Sequence, residues 1–547
     1  MRIINYIWLA IALSIAAQAS AQSTKPYSWN NLPKATLPSF KADTFNIVNY
    51  GAKQDGIALN SIAINKAVSA CEANGGGVVL IPEGIWLTGP IVLKSNVNLH
   101  ITRAAILQFT PDKTQYPLVE GTYEGKAAAR NQSPISAINA RNIAITGSGV
   151  IDGNGDVWRA VGKSELTERQ WKEKLASGGV LSADGKEWYP SEQYRYAKVN
   201  AVSMLLGGGK DIKDFAYIKD FLRPNLLVFT NCKQILLEGV TFQNSPAWCL
   251  HPLLCEDLTV RKVLVKNPSY AQNGDGIDIE SCRNFLVEDC VLDVGDDAIC
   301  IKSGKDEEGR RRGKPTENGL IRNNLVYSGH GGFVIGSEMS GGARNIFIEN
   351  CSFMGTDKGL RFKSVRGRGG LVENIYARNI FMTNIVQEAI FFDMFYFVKF
   401  ATDGAREMKE VVNEGTPIFR NMVFDNIVCT GANKSIFIRG LAEMPIQNIV
   451  VKNSRLSSKF GVEFTDASKI TLDNVQFHTE GNKPLISVEN SSGLLFKDIS
   501  SFASNPTFLT VSGGRSAEII IKNVLPGNLE NRIILNDPVK KGSVIIR

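Results

Sequence analysis

The amino-acid sequence predicts an all-β fold, a parallel β-helix, and three observations carry the prediction. A short phrase of alternating apolar residues recurs down the 547-residue chain, each copy closes on Asn, Asp or Gly, and no amphipathic helix stands between one copy and the next. Examples run from Ile235–Val240 and Leu258–Val263 through Leu286–Cys290 and Ile346–Cys351 to Ile375–Ile380, Met422–Ile427 and Ile470–Val475. Alternation at period two gives short strands, and copies about 20 to 35 residues apart have the length of one solenoid repeat. Stacked coils bury their inward side chains in a narrow apolar core and place the Asn or Asp at a bend that tolerates left-handed backbone. A β-sandwich or propeller is the competing architecture, and the missing crossover helices argue against a βαβ sheet.

The elements follow in chain order. Arg2, the apolar run Ile7–Leu13 and the small residues Ala19-Ser20-Ala21 make residues 1–21 a signal peptide. The protein is therefore expected to be exported, to the periplasm or the medium. No membrane anchor is expected, since no later stretch reaches about 18 consecutive apolar residues. Residues 22–140 are expected to hold a cap and the first coils, because Ser61–Cys71 has helical apolar spacing, stops at Gly75-Gly76-Gly77 and would cover the open end of the core. Residues 141–547 form the β-helix proper, interrupted at about 158–222 by a charged segment that lacks the repeat. That insertion carries Trp171, Trp188, Tyr189, Tyr194 and Tyr196, rings that either wall a cleft or pack against one another. The formal net charge of +7 suits an acidic partner, with nothing to indicate nucleic acid. Among 4 His there is no pair at metal-ligand spacing, and among 9 Cys no CxxC, so neither a zinc site nor a disulfide framework is expected, and no cofactor.

The chemistry concentrates in four short runs. Asn273-Gly274-Asp275-Gly276-Ile277-Asp278 is followed one coil later by Gly295-Asp296-Asp297, which returns acids to one face. Asp296 and Asp297 are adjacent, so they serve one site only at a bend, which Gly295 permits. Crowded carboxylates separate their pKa values, leaving one protonated as an acid and another ionised as a base, and inverting glycosidases hold such a pair about 6.5 to 9.5 Å apart. Calcium binding and ordinary Asp-rich turns are the competing readings. Later coils add Gly329-His330-Gly331 and Arg361-Phe362-Lys363, the latter with two cations on one strand face that can hold a sugar carboxylate.

Taken in order, Asn-x-Asp, Gly-Asp-Asp, Gly-His-Gly and Arg-x-Lys resemble the pattern of the polygalacturonase family of glycoside hydrolases (family 28). The likeness extends to Gly51-Ala52-Lys53, Gly149–Gly153 and Ser245–Trp248. The resemblance implies a right-handed β-helix that hydrolyses pectin, an acidic polysaccharide, with inversion and without a metal. It makes Asp296 the general acid, Asp275 and Asp297 the carboxylates that activate water, and His330 a support for the acid. It makes Asn273, Arg361 and Lys363 substrate contacts. Gly274 stands where fungal endo-acting members commonly carry Thr, and the insertion and Arg366-Gly367-Arg368 resemble bacterial exo-acting members, which places exo action ahead of endo. The alternatives are a rhamnogalacturonan or xylogalacturonan hydrolase, a pectate lyase, and an inert polysaccharide-binding β-helix.

Overall fold

The computed structural model describes residues 26–398, 408–502, 507–525 and 529–547, so the expected signal peptide lies outside the described residues. The chain forms a right-handed parallel β-helix. One face is a sheet of 14 strands running from Ile91–Val92 to Ile533–Leu535. The other two faces are separate short strands in early coils, such as Lys233–Glu238 and Thr241–Gln243, and merge in later coils into strands as long as Leu371–Thr383. Register is kept from coil to coil: Ile235 pairs with Leu258, Leu258 with Phe285, and further on Ile346 with Ile375, Ile375 with Met422 and Met422 with Ile449. Inward positions therefore superimpose in one continuous core, in which Phe362 lies parallel to Phe392 at 4.2 Å between ring centroids.

The coils begin before the recurring phrase becomes legible. Gly77–Ile81 already pairs with Val97–Ile101, and that strand with Arg141–Gly147. The capping helix spans Ser61–Ala73 and buries Ile64, Ala67, Val68 and Cys71 against this end of the core. No helix among the described residues is long and apolar enough to cross a membrane.

Asparagines hold the bends. Asn323, Asn350, Asn379 and Asn426 all have φ between 55° and 57°, the left-handed region that Asn tolerates better than other side-chain-bearing residues. Their amides also stack: Asn350 Nδ2 donates to Asn323 Oδ1 at 3.4 Å, Asn379 to Asn350 at 2.9 Å and Asn426 to Asn379 at 2.8 Å. Asn350→Ala removes two rungs and leaves a Cβ-bearing residue strained, an expected loss of about 2 kcal/mol. Asn350→Gly relieves the strain and should cost less. The order of the two urea midpoints checks this, and equal midpoints would mean the backbone conformation is not what selects Asn.

The insertion is a packed body. It contains helices Glu168–Ala176 and Glu192–Val199 and a small antiparallel sheet, and Trp171, Trp188, Tyr189 and Tyr194 are all buried within it. Of the five rings only Tyr196 is exposed, and it meets Tyr217 edge-on. A second excursion was not visible in the sequence, the antiparallel hairpin Leu118–Tyr123/Lys126–Asn131. Its Ala128 and Ala129 pack against Ala197, Met204, Phe215 and Ile218 of the insertion. Its tip docks on the helix Asp306–Arg312, through Glu124 to Lys305 at 2.7 Å, Lys126 to Asp306 at 2.6 Å and Arg312 Nη2 to the Gly125 carbonyl at 3.3 Å. The hairpin leaves the chain before Ile135–Ile138 and lands beyond Asp297–Lys302, so it spans the three intervening strands of the 14-stranded face. All nine cysteines are free and buried.

Candidate active site

Coil stacking assembles the four runs. Asp275 lies in the turn before strand Ile277–Glu280, and Asp296 in the bend before Asp297–Lys302. The Gly276 N–H donates to the Asp297 carbonyl at 2.9 Å and the Gly295 N–H to the Gly274 carbonyl at 3.3 Å, which fixes one acidic turn over the other. Gly295 is required by close approach, since a Cβ there would lie 2.5 Å from the Pro268 carbonyl oxygen. His330 follows, its N–H donating to the Asp296 carbonyl at 2.9 Å, and Val334 of its strand pairs with Arg361. The glycines beside His330 answer to close approach: a Cβ on Gly329, at φ 148°, would strike the Asp296 carbonyl of the preceding coil, and one on Gly331 would strike Val334 of its own strand.

Asp275, Asp296 and Asp297 each place an oxygen within 4.8 Å of the others. The three are not equivalent. Asp297 is 2% exposed, with Lys363 Nζ at 2.7 Å from Oδ2 and Arg361 Nη1 at 3.0 Å from Oδ1. Burial by itself would raise its pKa, but Lys363 and Arg361 outweigh burial and hold the carboxyl well below the usual carboxylate range. Asp275 is also buried, and its Oδ1 has no protein hydrogen-bond donor. Burial, reinforced by the charges of Asp278 and Asp296, pushes it well above that range, with Lys302 opposing. The upward push falls on Asp275, whereas the resemblance makes Asp296 the proton donor. Asp296 is the most exposed of the three, and its Oδ1 lies 3.0 Å from His330 Nδ1.

The His330–Asp296 bond is the main cause of a raised His330 pKa, with burial opposing and the charges of Asp296, Asp297 and Asp357 adding to it. A raised basic pKa stabilises the fold fully below the unfolded value, about 6.5. That contribution is lost as pH rises through the folded value. The urea midpoint of wild type is therefore expected to exceed that of His330→Gln at pH 5 and to converge with it on the alkaline side. A gap independent of pH would refute the charged pair.

Sequence reasoning missed the floor of the site. Lys302 Nζ lies 3.1 Å from Asp278 Oδ1, 3.6 Å from Glu338 and 3.7 Å from Asp275, and 3.5 Å from the Trp248 ring centroid. These groups are all buried, so removing the lysine would leave carboxylates unpaired in a dry environment. The only signal was Asp278 closing the Asn273 run. Arg366 and Arg368, in contrast, are committed elsewhere, Arg366 to Glu443 at 2.6 Å and Arg368 to Asp306. The three aspartates are close enough to share a cation, but Lys302, Arg361 and Lys363 already sit against Asp275 and Asp297 and compete for that role. The arrangement as it stands offers an accessible carboxyl, a clamped carboxylate and a proton-retaining one within a few ångströms, which suits general acid–base chemistry.

Comparison with known proteins agrees with the residue pattern. Residues 217–413 match the family model for glycosyl hydrolases family 28. An exo-poly-alpha-D-galacturonosidase of Dickeya chrysanthemi is 28% identical over 79% of this chain and 70% of its own length. A probable polygalacturonase of Vitis vinifera is 27% identical over 76% of this chain and 74% of its own length. Among solved structures, a hyperthermoactive exopolygalacturonase from Thermotoga maritima superimposes with a TM-score of 0.67 at 32% identity, covering 81% of this chain and 94% of that one.

Proposed function

Because this chain belongs to the glycosyl hydrolases of family 28, we propose that it hydrolyses α-1,4-galacturonosyl linkages of pectin with inversion, from chain ends. The observation that carries the reading is the meeting, across four coils, of three carboxylates with His330 and the Arg361–Lys363 pair. Asp296 is assigned the general acid by reach: it is the most exposed of the three carboxyls, and His330 orients it. The three carboxyls place oxygens within 4.8 Å of one another, so the proton that burial retains on Asp275 passes to Asp296, which meets the leaving oxygen, and leaves Asp275 ionised. Asp275 and Asp297 accept from the attacking water, Asp275 through an oxygen free of protein donors.

A retaining enzyme would instead hold its carboxyls about 5 to 5.5 Å apart and use one as a nucleophile. Inversion is favoured because both Asp297 oxygens are engaged by cations, which makes it a poor nucleophile. Arg361 keeps a buried Nε without a protein acceptor, and with Lys363 and Asn273 it is assigned to the substrate, whose carboxylate it would pair. Exo action is supported by the docked hairpin, which bars the face on the N-terminal side of the acids, and by the exo-acting relatives.

The test is product analysis on polygalacturonic acid with a chelator present. Saturated monomer supports exo hydrolysis and mixed saturated oligomers endo hydrolysis. An unsaturated product or dependence on calcium would make the protein a lyase. No product, with cleavage of a branched pectin instead, would move the substrate to rhamnogalacturonan or xylogalacturonan, and no cleavage at all would leave a binding protein. The anomer seen first by NMR decides inversion.

A further inference from the structure

Beside Asn273, on the N-terminal side of the acids, lies a small recess of about 40 Å³ between the hairpin, Trp248 and two arginines, room for a carboxylate group rather than a whole sugar. Arg130 is buried and Arg223 half-buried, and neither has a carboxylate within ion-pair distance among the described residues. Arg223 Nη2 donates to Asn273 Oδ1 at 2.9 Å, and its Nη1 to the carbonyls of Pro246 at 3.0 Å and Gln272 at 2.8 Å. Arg130 donates to the Arg223 carbonyl and to Asn225 Oδ1, and stands over the Tyr123 ring at 5.4 Å. The nearby acid of the hairpin, Glu124, is taken by Lys305 at 2.7 Å. Neutral acceptors satisfy the donors of this pair but not its charge.

Two guanidinium groups with no counter-ion, one of them buried, are costly to hold together. Burial, with Arg223 adding, pushes Arg130 down to about 10. An anion entering the recess would discharge that cost, and a planar carboxylate suits a guanidinium. Arg361 and Lys363 lie on later coils, so the acid cluster is flanked by cations on both sides along the solenoid axis. A polymer bearing a carboxylate on every sugar presents one on each side of the bond being cut.

Resting on the galacturonan reading above, we propose that Arg223 and Arg130 form a second carboxylate-recognising subsite. It would hold the sugar across the scissile bond from the one held by Arg361 and Lys363, and select for free acid on both. Arg223 is the residue to vary, because it is half-exposed and its loss leaves the buried Arg130 in place.

The experiment uses the full chain carrying Asp296→Asn to suppress turnover, and compares dissociation constants for trigalacturonate and its methyl ester. Adding Arg223→Gln is expected to weaken the free acid at least about tenfold and the ester less than about threefold, with Arg223→Lys recovering part of the loss. Equal weakening of both ligands would show that Arg223 only positions Asn273, and no weakening of either would show that the recess binds nothing; both overturn the inference. Failure of the wild type to cleave polygalacturonic acid would instead overturn the functional reading.

Discussion

Asp296→Asn is expected to lower kcat by at least about a hundredfold, with little change in the melting temperature. The amide keeps the size of the side chain and an oxygen for His330, which now stands 3.0 Å from Asp296 Oδ1. What disappears is a carboxyl able to deliver a proton at the most exposed point of the cluster. A leaving group of low pKa, such as a nitrophenol, needs less protonation and should recover part of the rate. Near-wild-type turnover on polygalacturonic acid would remove Asp296 from the acid role and turn attention to Asp275, where burial raises the pKa.

Lys363→Met is expected to have a comparable effect by a different route. The sequence suggests a residue that grips a sugar carboxylate, yet Lys363 is buried and sits 2.7 Å from Asp297 Oδ2. Its first partner is therefore the protein's own carboxylate. Breaking a buried pair leaves an uncompensated charge, at a cost of about 3 to 5 kcal/mol. The sign with pH follows from the depressed Asp297 carboxyl: its stabilisation is present above the unfolded value, near 4, and is lost as pH falls through the folded one. In the variant Arg361 and the charge of Lys302 are left to oppose burial, so the folded pKa rises and the acid limb of kcat/KM should move to higher pH, with kcat down at least about a hundredfold. A change confined to KM, with the acid limb unmoved, would leave Lys363 its role in substrate binding alone.

The solenoid was legible because its signal repeats. Alternation at period two and an Asn at each bend recur in coil after coil, and Asn323, Asn350 and Asn379 occupy the left-handed positions that this pattern implies. The meeting of Asp275 with Asp296 and Asp297 was legible for the same reason, since motifs one coil apart must stack. Gly295 marked the bend that lets two adjacent acids serve one site. Lys302, Asp278 and Glu338 were harder to see. Their association depends on which side chains point into one dry space, and no spacing rule encodes that. The hairpin Leu118–Asn131 was hidden because Leu118–Tyr123 reads like one more coil strand, and antiparallel pairing leaves no trace in its composition. Arg366 and Arg368 misled in the opposite direction, because a cation cluster looks the same in sequence whether or not acids elsewhere have already claimed it.

The free, buried cysteines have a use beyond packing. Burial pushes Cys71 up to about 11, with the charge of Asp43 adding, and Cys429 up to about 12, so a native coil offers an alkylating reagent almost no thiolate and no access. Each thiol reacts only after its own stretch of solenoid opens. Cys71 lies in the cap, Cys232, Cys255, Cys282 and Cys290 in the middle coils, and Cys429 further along. Their order of labelling in mild urea, read by mass spectrometry, becomes a timed map of fraying from either end, written into the wild-type chain without any added probe.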